Sequence, residues 1–203
     1  MTTERARSKA DRRAAILREA ARLFADRGFA GVSIEDLGAA VGVRGPAVYK
    51  HFTGKQAVLA AILLGASEQL LTGGRAVIEG TGAGAHDPLA ALVAFHVDFA
   101  LRDADVIRVQ DRDLANLDDD ARKRVRRLQR EYVELWVDVL AGIHGTADAA
   151  DLRMRAHATF GLINSTPHSV RSHGRRMAIK SARPLLENMA LAALLVTASP
   201  IAP

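Results

Sequence analysis

The chain has 203 residues, 49% of them hydrophobic and 25% charged, a globular composition that excludes a disordered chain. Because it contains no cysteine, it cannot hold a disulfide scaffold, a cysteine nucleophile or a cysteine-ligated zinc or iron–sulfur site. The net charge of +5 lies entirely in the first quarter, since residues 1–55 hold 11 Lys and Arg against 6 Asp and Glu, whereas residues 56–203 hold 17 of each.

The first quarter predicts three helices separated by glycines. Alanine is the commonest residue and alternating apolar patterns are scarce, which favours an all-α fold. Apolar residues follow one helical face over residues 10–27, and Gly28 then ends the helix. Ser33 is placed as the N-cap of a second helix over residues 34–41. A third helix covers residues 45–52, with a proline in its first turn.

The rest of the chain predicts helices joined by glycine-rich or polar connections, about nine helices in all. The later helices are predicted over residues 55–71, 88–101, 106–114, 118–142, 149–164 and 182–196. We expect flexible connections at Gly73-Gly74 and over residues 80–85, and a polar link over residues 172–176. Pro167 should kink or end the helix before it. No strand and no internal repeat is predicted.

Residues 33–63 read as helix, glycine turn and helix, followed by a further helix. Gly42 permits a left-handed turn that a bulkier residue would resist, and Leu37 faces the preceding helix. Val43 and Val48 are placed to fill the space between the two short helices. This is helix-turn-helix geometry, in which the second helix lies in the major groove of DNA. The segment coincides with the basic part of the chain, which indicates a polyanionic partner.

The same segment resembles the DNA-binding domain of TetR-family transcriptional repressors, also known as TetR/AcrR-like regulators. Their pattern is a long helix ending in F-x-x-x-G-[FY], then [TS]-[VI]-x-x-[IL], then G-V-x-x-x-x-x-Y-x-[HY]-F and a lysine. The matching residues are Phe24, Gly28, Phe29, Ser33, Ile34, Leu37, Gly42, Val43, Tyr49, His51, Phe52 and Lys55. Arg44 stands where the family usually has serine or threonine, and arginine can read guanine or hold a phosphate.

The candidates for contact with double-stranded DNA offer hydrogen-bond donors, positive charge or a size small enough for close approach. They are Ser33, Arg44, Gly45, Pro46, Tyr49, Lys50, His51 and Lys55. The alternative is that the aromatic residues are core and the charges merely solvated, and we favour it for Phe52. A basic N-terminal arm either follows the DNA or serves as a solubilising tail. Its residues are Arg5, Arg7, Lys9, Arg12 and Arg13.

The resemblance implies a helix-turn-helix domain over residues 1–54 and an all-helical domain over residues 55–203 that binds a small-molecule effector. Candidate effector-binding residues combine apolar walls with a few polar groups. They are Phe95, Phe99, Trp136, Phe160, Asn164, Thr166 and His168, with Arg171 placed to meet an anionic ligand. The alternative is that the aromatic residues pack a core and the polar residues cap a helix break at Pro167.

The resemblance also implies that the last two long helices, residues 149–167 and 182–196, form a homodimer. The sequence supports this independently, because Arg183 and Glu187 are the only charges over residues 182–199. A helix that is apolar nearly all round needs burial on more than one side. A two-fold dimer suits a palindromic operator whose half-sites lie about 34–36 Å apart or a multiple of that distance.

Three other interpretations are weaker. The basic run over residues 122–130 could be a second nucleic-acid site, but neighbouring acidic residues neutralise it. An all-α enzyme could use His157 or His168 as general base, but no nucleophile–base–orienter set is readable. The histidines do not have metal-binding spacing, so neither a metal nor another cofactor is predicted. They are His96, His144, His157, His168 and His173.

We therefore predict a ligand-responsive, dimeric DNA-binding repressor that a small molecule releases from its operator, and not an enzyme. Residues 136–140 look similar to acyl-CoA-sensing lipid regulators, so an acyl-CoA or related anionic ligand is an alternative effector. No signal peptide is visible, and the uncharged stretch over residues 188–203 has 16 residues. A membrane span needs about 20 apolar residues, so we expect a soluble, cytoplasmic protein that does not contact a membrane.

Overall fold

The computed structural model describes residues 2–80, 87–145, 147–166, 171–172, 175–176 and 178–196. The chain forms two compact units. The first comprises residues 1–68 and 105–127, and the second comprises residues 69–104 and 128–203. The units therefore interleave along the chain, whereas the sequence predicts a single boundary after residue 54.

The described residues are almost entirely helical, which confirms the predicted all-α fold. In chain order the helices are α1 (Thr2–Arg27), α2 (Ile34–Ala40), α3 (Gly45–Val48), α4 (Lys55–Gly80), α5 (Pro88–Arg102), α6 (Ala104–Asp113), α7 (Asp119–His144), α8 (Ala149–Ile163) and α9 (Ile179–Leu195). A 3₁₀ turn covers Leu114–Asn116. Where the sequence predicts a polar link, two-residue strands β1 (Arg171–Ser172) and β2 (Arg175–Arg176) pair antiparallel, with Arg171 opposite Arg176.

One apolar core holds the first unit together. It draws on α1 to α4, α6 and the start of α7, and it includes Ile16, Leu23, Phe24, Leu37, Val48, Phe52, Leu59, Leu63, Val109 and Val125. Fully burying a side chain of this kind stabilises a fold by about 1.5–3 kcal/mol. α2 and α3 are too short to be stable alone, so this packing holds them in place. The burial of Leu37, Val48 and Phe52 confirms their predicted core positions.

α1 starts at Thr2, earlier than the predicted start at residue 10. The sequence predicts a helix from a stripe of apolar residues, and residues 2–9 contain no large apolar residue that could form one. Residues 2–9 contain no glycine or proline, so nothing in them interrupts a helix. The residues of the predicted basic arm therefore lie on a helix.

α4 continues to Gly80, through the two glycines at which the sequence predicts a flexible connection. A Cβ added at Gly73 would lie 2.3 Å from Cζ of Phe95, and one added at Gly74 would lie 2.8 Å from Cε2 of Tyr132. Rings from α5 and α7 thus rest directly on the α4 backbone. The prediction of a connection at Gly73-Gly74 was wrong because these glycines serve close packing.

By length and hydropathy alone, α4 also qualifies as a membrane-spanning helix, since it has 26 residues with a window of mean hydropathy 1.4. Of that window, 44% is buried inside the protein. Val58, Leu59 and Leu63 are fully buried in the core of the first unit. This packing is that of a core helix.

In the second unit, α9 packs against α5 and α8. The largest fully buried side chains of the second unit are Trp136, Leu89, Leu92, Leu140, Ile163 and Leu194. α9 begins at Ile179, ahead of the predicted start at residue 182, and contains Pro184, which cannot donate to the carbonyl of Lys180. α8 ends at Ile163 with Asn164 as its C-cap. Pro167, which the sequence predicts to end this helix, lies outside the described residues.

Candidate nucleic-acid interface and effector site

A capping box fixes the start of α2. The backbone N–H of Asp36 donates to Oγ of Ser33 at 3.0 Å, and the backbone N–H of Ser33 donates to Oδ2 of Asp36 at 2.8 Å. The Ser33 hydroxyl also donates to the same carboxylate, at 2.6 Å. The hydrogen bonds from Ser33 lower the pKa of Asp36. The predicted N-cap role of Ser33 is confirmed, and its hydroxyl is engaged by this role.

The turn between α2 and α3 depends on glycine at three places. Gly42 has φ of 69°, a left-handed conformation that side chains disfavour. A Cβ at Gly38 would lie 2.9 Å from the backbone nitrogen of Gly45, so α2 and the start of α3 approach each other closely. Gly45 itself is buried, and a Cβ there would lie 3.2 Å from Oε1 of Glu35. Gly45, predicted among the DNA-contacting residues, thus lies against α2.

α3 has one buried face and one exposed face. Val48 is fully buried, whereas Pro46, Tyr49 and Lys50 are exposed, Tyr49 to 56%. Positions 46, 49 and 50 have the spacing of side chains that share a face of a helical segment. Arg44 is the exposed N-cap residue of α3 and makes no side-chain capping hydrogen bond. Pro46, Tyr49 and Lys50 therefore share an outward surface, and the exposed Arg44 adds a second positive charge at the start of α3.

His51 lies at the edge of this surface among positively charged residues. Its Nδ1 atom is buried and has no hydrogen-bond partner in the described part of the chain. Burial lowers the pKa of His51, and the charges of Lys9, Arg12, Arg13 and Lys50 lower it further. The ring is therefore neutral at neutral pH, with an unused nitrogen beside several cations.

The basic residues of α1 contact the helix-turn-helix. Arg12 donates to the carbonyl oxygen of Val41 at 3.3 Å, and the guanidinium of Arg13 lies 4.9 Å from the centre of the Phe52 ring. Both side chains remain exposed. They add two positive charges to the region of His51.

Lys55, a further predicted DNA contact, is held inside the first unit. Its ammonium donates to the carbonyl oxygen of Phe29 at 2.7 Å and lies 4.3 Å from the centre of the Phe29 ring. The side chain is only partly exposed. The structure thus gives Lys55 a partner in the loop that joins α1 to α2.

The sequence did not predict that the end of α6 holds the junction of α1 and α2. The Arg112 guanidinium donates to the carbonyl oxygens of Phe24 and, at 3.3 Å, Ala25, at the end of α1. The neighbouring carboxylate of Asp113 is buried and accepts from the backbone N–H of Phe29 at 3.4 Å. These contacts join residues more than 80 positions apart in the chain. No sequence motif marks them.

In the second unit, an aromatic cluster surrounds the buried His96. The imidazole is nearly parallel to the rings of Phe160 and Tyr132, with centroids 4.7 and 5.7 Å away. Trp136 stands edge-on to it at 6.0 Å. Nδ1 of His96 lies 3.2 Å from the Tyr132 hydroxyl, and Nε2 lies 3.2 Å from Oδ1 of Asn164. Burial lowers the pKa of His96 to about 4, so the imidazole is neutral at pH 7.

The structure places the predicted effector-binding residues in several locations. Trp136, Phe160 and Asn164 line the cluster, and the Phe99 ring is 6.3 Å from His96. Phe95 lies against Gly73 instead. His168 lies outside the described residues, as does the side chain of Arg171.

Thr166 is buried and donates to the carbonyl oxygen of Ala100 at 3.1 Å. His96 and Tyr132 hold the centre of the cluster, although the sequence does not predict them as effector-binding residues. Helical spacing could have indicated Tyr132, because it lies four positions before Trp136 and so shares a helix face with it. Phe160 and Asn164 have the same spacing.

The weaker candidate sites were the histidines and the basic run over residues 122–130 of α7. No group of three His, Asp or Glu side chains in the described ranges is arranged to hold a metal ion. His157 is exposed on α8, with its ring 6.4 Å from that of Phe160. In the basic run, Arg122 pairs with Asp119, and Arg124 lies 3.8 Å from Glu68. Acidic neighbours thus offset part of the charge of this run.

The first unit contains a helix-turn-helix whose second helix, α3, is flanked by the exposed cations Arg44 and Lys50, and this defines a DNA-binding regulatory protein. The family model of bacterial regulatory proteins of the tetR family matches residues 16–62. The model of the tetracyclin repressor-like C-terminal domain matches residues 82–189. The chain belongs to the TetR family.

Individual relatives agree with this assignment. The HTH-type transcriptional repressor KstR2 of Rhodococcus jostii is 27% identical over 146 residues, 71% of each chain. A TetR-family transcriptional regulator from Bordetella parapertussis superposes with a TM-score of 0.75 at 23% identity, covering 92% of this chain and 98% of that one. AibR, in a crystal structure with isovaleryl coenzyme A and operator DNA, gives a TM-score of 0.67 at 21% identity, covering 88% and 97%. At these identities the two solved structures show a shared fold.

Proposed function

We propose that the protein is a ligand-responsive, dimeric transcriptional repressor. The dimer binds a palindromic DNA operator, and a small-molecule effector bound in the second unit releases it. The observation that carries this proposal is the exposure of Arg44, Tyr49 and Lys50 at the two ends of α3, while Val48 within it is buried. The name of the KstR2 relative supports repression as the direction of control. Binding to DNA implies a cytoplasmic location.

Within this proposal the residues of the helix-turn-helix have different roles. Arg44 reads base edges, because its side chain is exposed at the start of the helix that enters the groove. Tyr49, Lys50 and His51 contact phosphates, and Pro46 allows close approach. Ser33, Gly45 and Lys55 hold the helices in position, through the capping box, the α2 contact and the Phe29 contact.

Exposed apolar side chains on α8 and α9 support a dimer through these helices. Met154 on α8 is 68% exposed, and α9 exposes Leu185, Met189 and Leu195. Large apolar side chains exposed on two helices that pack together favour a contact with another protein chain. A two-fold dimer would place two copies of α3 at the spacing of operator half-sites, about 34–36 Å or a multiple.

The aromatic cluster around His96 supports an effector site in the second unit. It combines apolar rings with a few polar groups, as small-molecule sites do. An effector releases DNA if it binds better to the dimer form that does not fit the operator, and its differential affinity sets the size of the shift.

The test is retention of DNA in a gel-shift assay with fragments from the region upstream of the protein's own gene. We expect one fragment to be retained specifically, with affinity that falls as salt rises. Lys50→Ala should weaken retention, whereas Lys123→Ala, which removes an exposed lysine from the basic run of α7, should leave it unchanged. If no fragment is retained, or if Lys123→Ala weakens retention as much as Lys50→Ala, the assigned interface is wrong.

A second candidate function is a lipid-metabolism regulator that senses an acyl-CoA or a related anionic ligand. The AibR structure, which contains isovaleryl coenzyme A, favours it. Under this alternative, isovaleryl coenzyme A should release the retained DNA while coenzyme A alone should not. Release by neither compound would remove this candidate and leave the repressor proposal in place.

A further inference from the structure

The first unit contains an open cleft where the end of α6, the 3₁₀ turn and the first turns of α7 meet. Its volume is about 480 Å³, and small-molecule sites have volumes of about 300–1,000 Å³. Its lining includes Arg112, Arg122 and Arg126, with Asp111 as the acidic residue and Leu114 as an apolar one. Three arginines against one aspartate give the lining a net positive charge, so the cleft suits an anion.

Two of the three arginines are held in place by the protein and keep donors for a ligand. A guanidinium group has five N–H donors. The described hydrogen bonds of Arg122 use two of them, on the carbonyl oxygen of Leu117 and the carboxylate of Asp119. Those of Arg112 use four, on the carboxylate beside it and on two backbone carbonyl oxygens of α1. Because both side chains are already ordered, binding an anion here costs less conformational entropy than ordering free arginines would.

Arg126 supplies a cation without a protein partner. It is exposed, and within the described ranges it makes no hydrogen bond or ion pair. It lies four positions after Arg122 on α7, so the two side chains leave the same helix face with Cβ atoms about 5–6 Å apart. Each guanidinium can hold a carboxylate or phosphate group through two parallel hydrogen bonds. This pair of arginines therefore matches a ligand with two negative charges.

The cleft lies away from the surface assigned to DNA. Arg112 contacts the carbonyl oxygen of Phe24, near the C-terminal end of α1. Arg13, which contacts Phe52 beside the helix-turn-helix, lies 11 residues earlier on the same helix. Eleven residues of α-helix span about 16 Å. This separation and the concave shape of the cleft favour a small molecule as its occupant over a DNA strand.

We propose that this cleft binds a small organic dianion, either a phosphate monoester or a dicarboxylate, whose charged groups contact Arg122 and Arg126. Arg112 contributes its remaining donor. Leu114, which is partly buried and packs against the core of the first unit, contacts the apolar part of the ligand. The lining belongs entirely to the first unit, so this site is separate from the effector site proposed in the second unit and does not depend on it.

The test is calorimetric titration of the full chain at pH 8, with phenyl phosphate, phthalate and benzoate as probes. Phenyl phosphate and phthalate are dianions at this pH, whereas benzoate carries one charge. The salt concentration is kept low, because salt screens exposed charges. At least one dianion should bind saturably and about tenfold more tightly than benzoate, the usual effect of one charge-assisted hydrogen bond. Binding of phenyl phosphate alone assigns the site to phosphate monoesters, and binding of phthalate alone assigns it to dicarboxylates.

Arg126→Ala should weaken binding of the dianion about tenfold. The matched control is Arg124→Ala, which removes an exposed arginine of the same run that lies 3.8 Å from Glu68 and does not line the cleft. Residues two positions apart do not share a helix face, so this control should leave binding unchanged. Benzoate binding as tightly as the dianions, saturable binding by neither dianion, or equal losses in the two variants would overturn the proposal.

Gel-shift retention of the same two variants distinguishes this site from a DNA contact. Arg126→Ala should retain DNA as the unaltered protein does. Weaker DNA retention by Arg126→Ala with unchanged dianion binding would make Arg126 a phosphate contact of the DNA interface and would overturn the proposal. Failure of the probes with intact DNA retention would reject the dianion site and leave the repressor function standing.

Discussion

The ammonium of Lys55 lies 2.7 Å from the carbonyl oxygen of Phe29 and 4.3 Å from the centre of its ring. The first residue of α4 is thereby tied to the loop that joins α1 to α2. A partly buried charged hydrogen bond and a cation–π contact together stabilise a fold by about 1–3 kcal/mol. These contacts give Lys55 a conformational role, and its contact with DNA stays a prediction.

Lys55→Met should therefore lower the free energy of unfolding by about 1–2 kcal/mol, measured by urea denaturation. Lys50→Met removes an exposed lysine just after α3, and it should change stability by no more than about 0.5 kcal/mol. If Lys55→Met leaves stability unchanged but weakens DNA retention as Lys50→Met does, Lys55 is a phosphate contact.

Alanine should destabilise the protein at Gly74 of α4 but stabilise it at Gly65 of the same helix. Gly74→Ala would place a Cβ 2.8 Å from Tyr132 and 2.9 Å from Leu135, so we expect a net loss of about 1–2 kcal/mol despite the better helix propensity of alanine. Gly65 has no atom within 4 Å of an added Cβ. Gly65→Ala should raise stability by about 0.5–1 kcal/mol. Thermal denaturation of both variants measures the contrast, and a stabilising Gly74→Ala would contradict the close packing.

His96 should make stability depend on pH. Its folded pKa of about 4 lies below the ordinary value of 6.5, so the unfolded chain binds the proton more readily. This contribution is complete above pH 6.5 and is lost as the pH falls toward 4. The expected loss between pH 7 and pH 5 is about 2 kcal/mol.

The measurement is urea denaturation followed by circular dichroism at the two pH values. His96→Gln should remove most of the difference, whereas His51→Gln, which removes a half-buried histidine of the first unit, should remove less. An unchanged pH dependence in His96→Gln would show that other groups carry it.

Arg44 and Lys50 should affect DNA binding differently. Arg44→Ala should change which base is preferred at one operator position, with a loss of about 1–3 kcal/mol at the preferred sequence. Lys50→Ala should weaken binding to all sequences alike and reduce the salt slope by about one. Gel shifts with single-base operator variants at two salt concentrations separate these effects. A uniform loss in Arg44→Ala would make Arg44 a phosphate contact as well.

The features of the fold that could be predicted from sequence depend on local chemistry. The N-cap role of Ser33 follows from its side chain and from Asp36 three residues later. The left-handed turn at Gly42 and the proline near the start of α3 are equally local signals. Each of these rules involves residues within a few positions of one another. For this reason the sequence placed the helix-turn-helix correctly.

The features that could not be predicted depend on contacts between distant residues. A sequence shows that Gly73 has conformational freedom, but it does not show that the ring of Phe95 lies against it. The Arg112 contact with Phe24 spans 88 positions, and the pair of His96 with Asn164 spans 68. Such partners are set by how whole helices pack. For the same reason the sequence does not show that Trp136, Phe160 and Asn164 surround the imidazole of His96.

Trp136 is the only tryptophan in the chain, and it is fully buried within the second unit. Its fluorescence therefore reports on the unit that holds the aromatic cluster and is silent about the unit that holds the helix-turn-helix. Comparing that emission with circular dichroism, which reports on the helices of both units, during denaturation would reveal whether the two units unfold together. A difference between the two transitions would show that the DNA-binding and cluster-bearing units have separate stabilities.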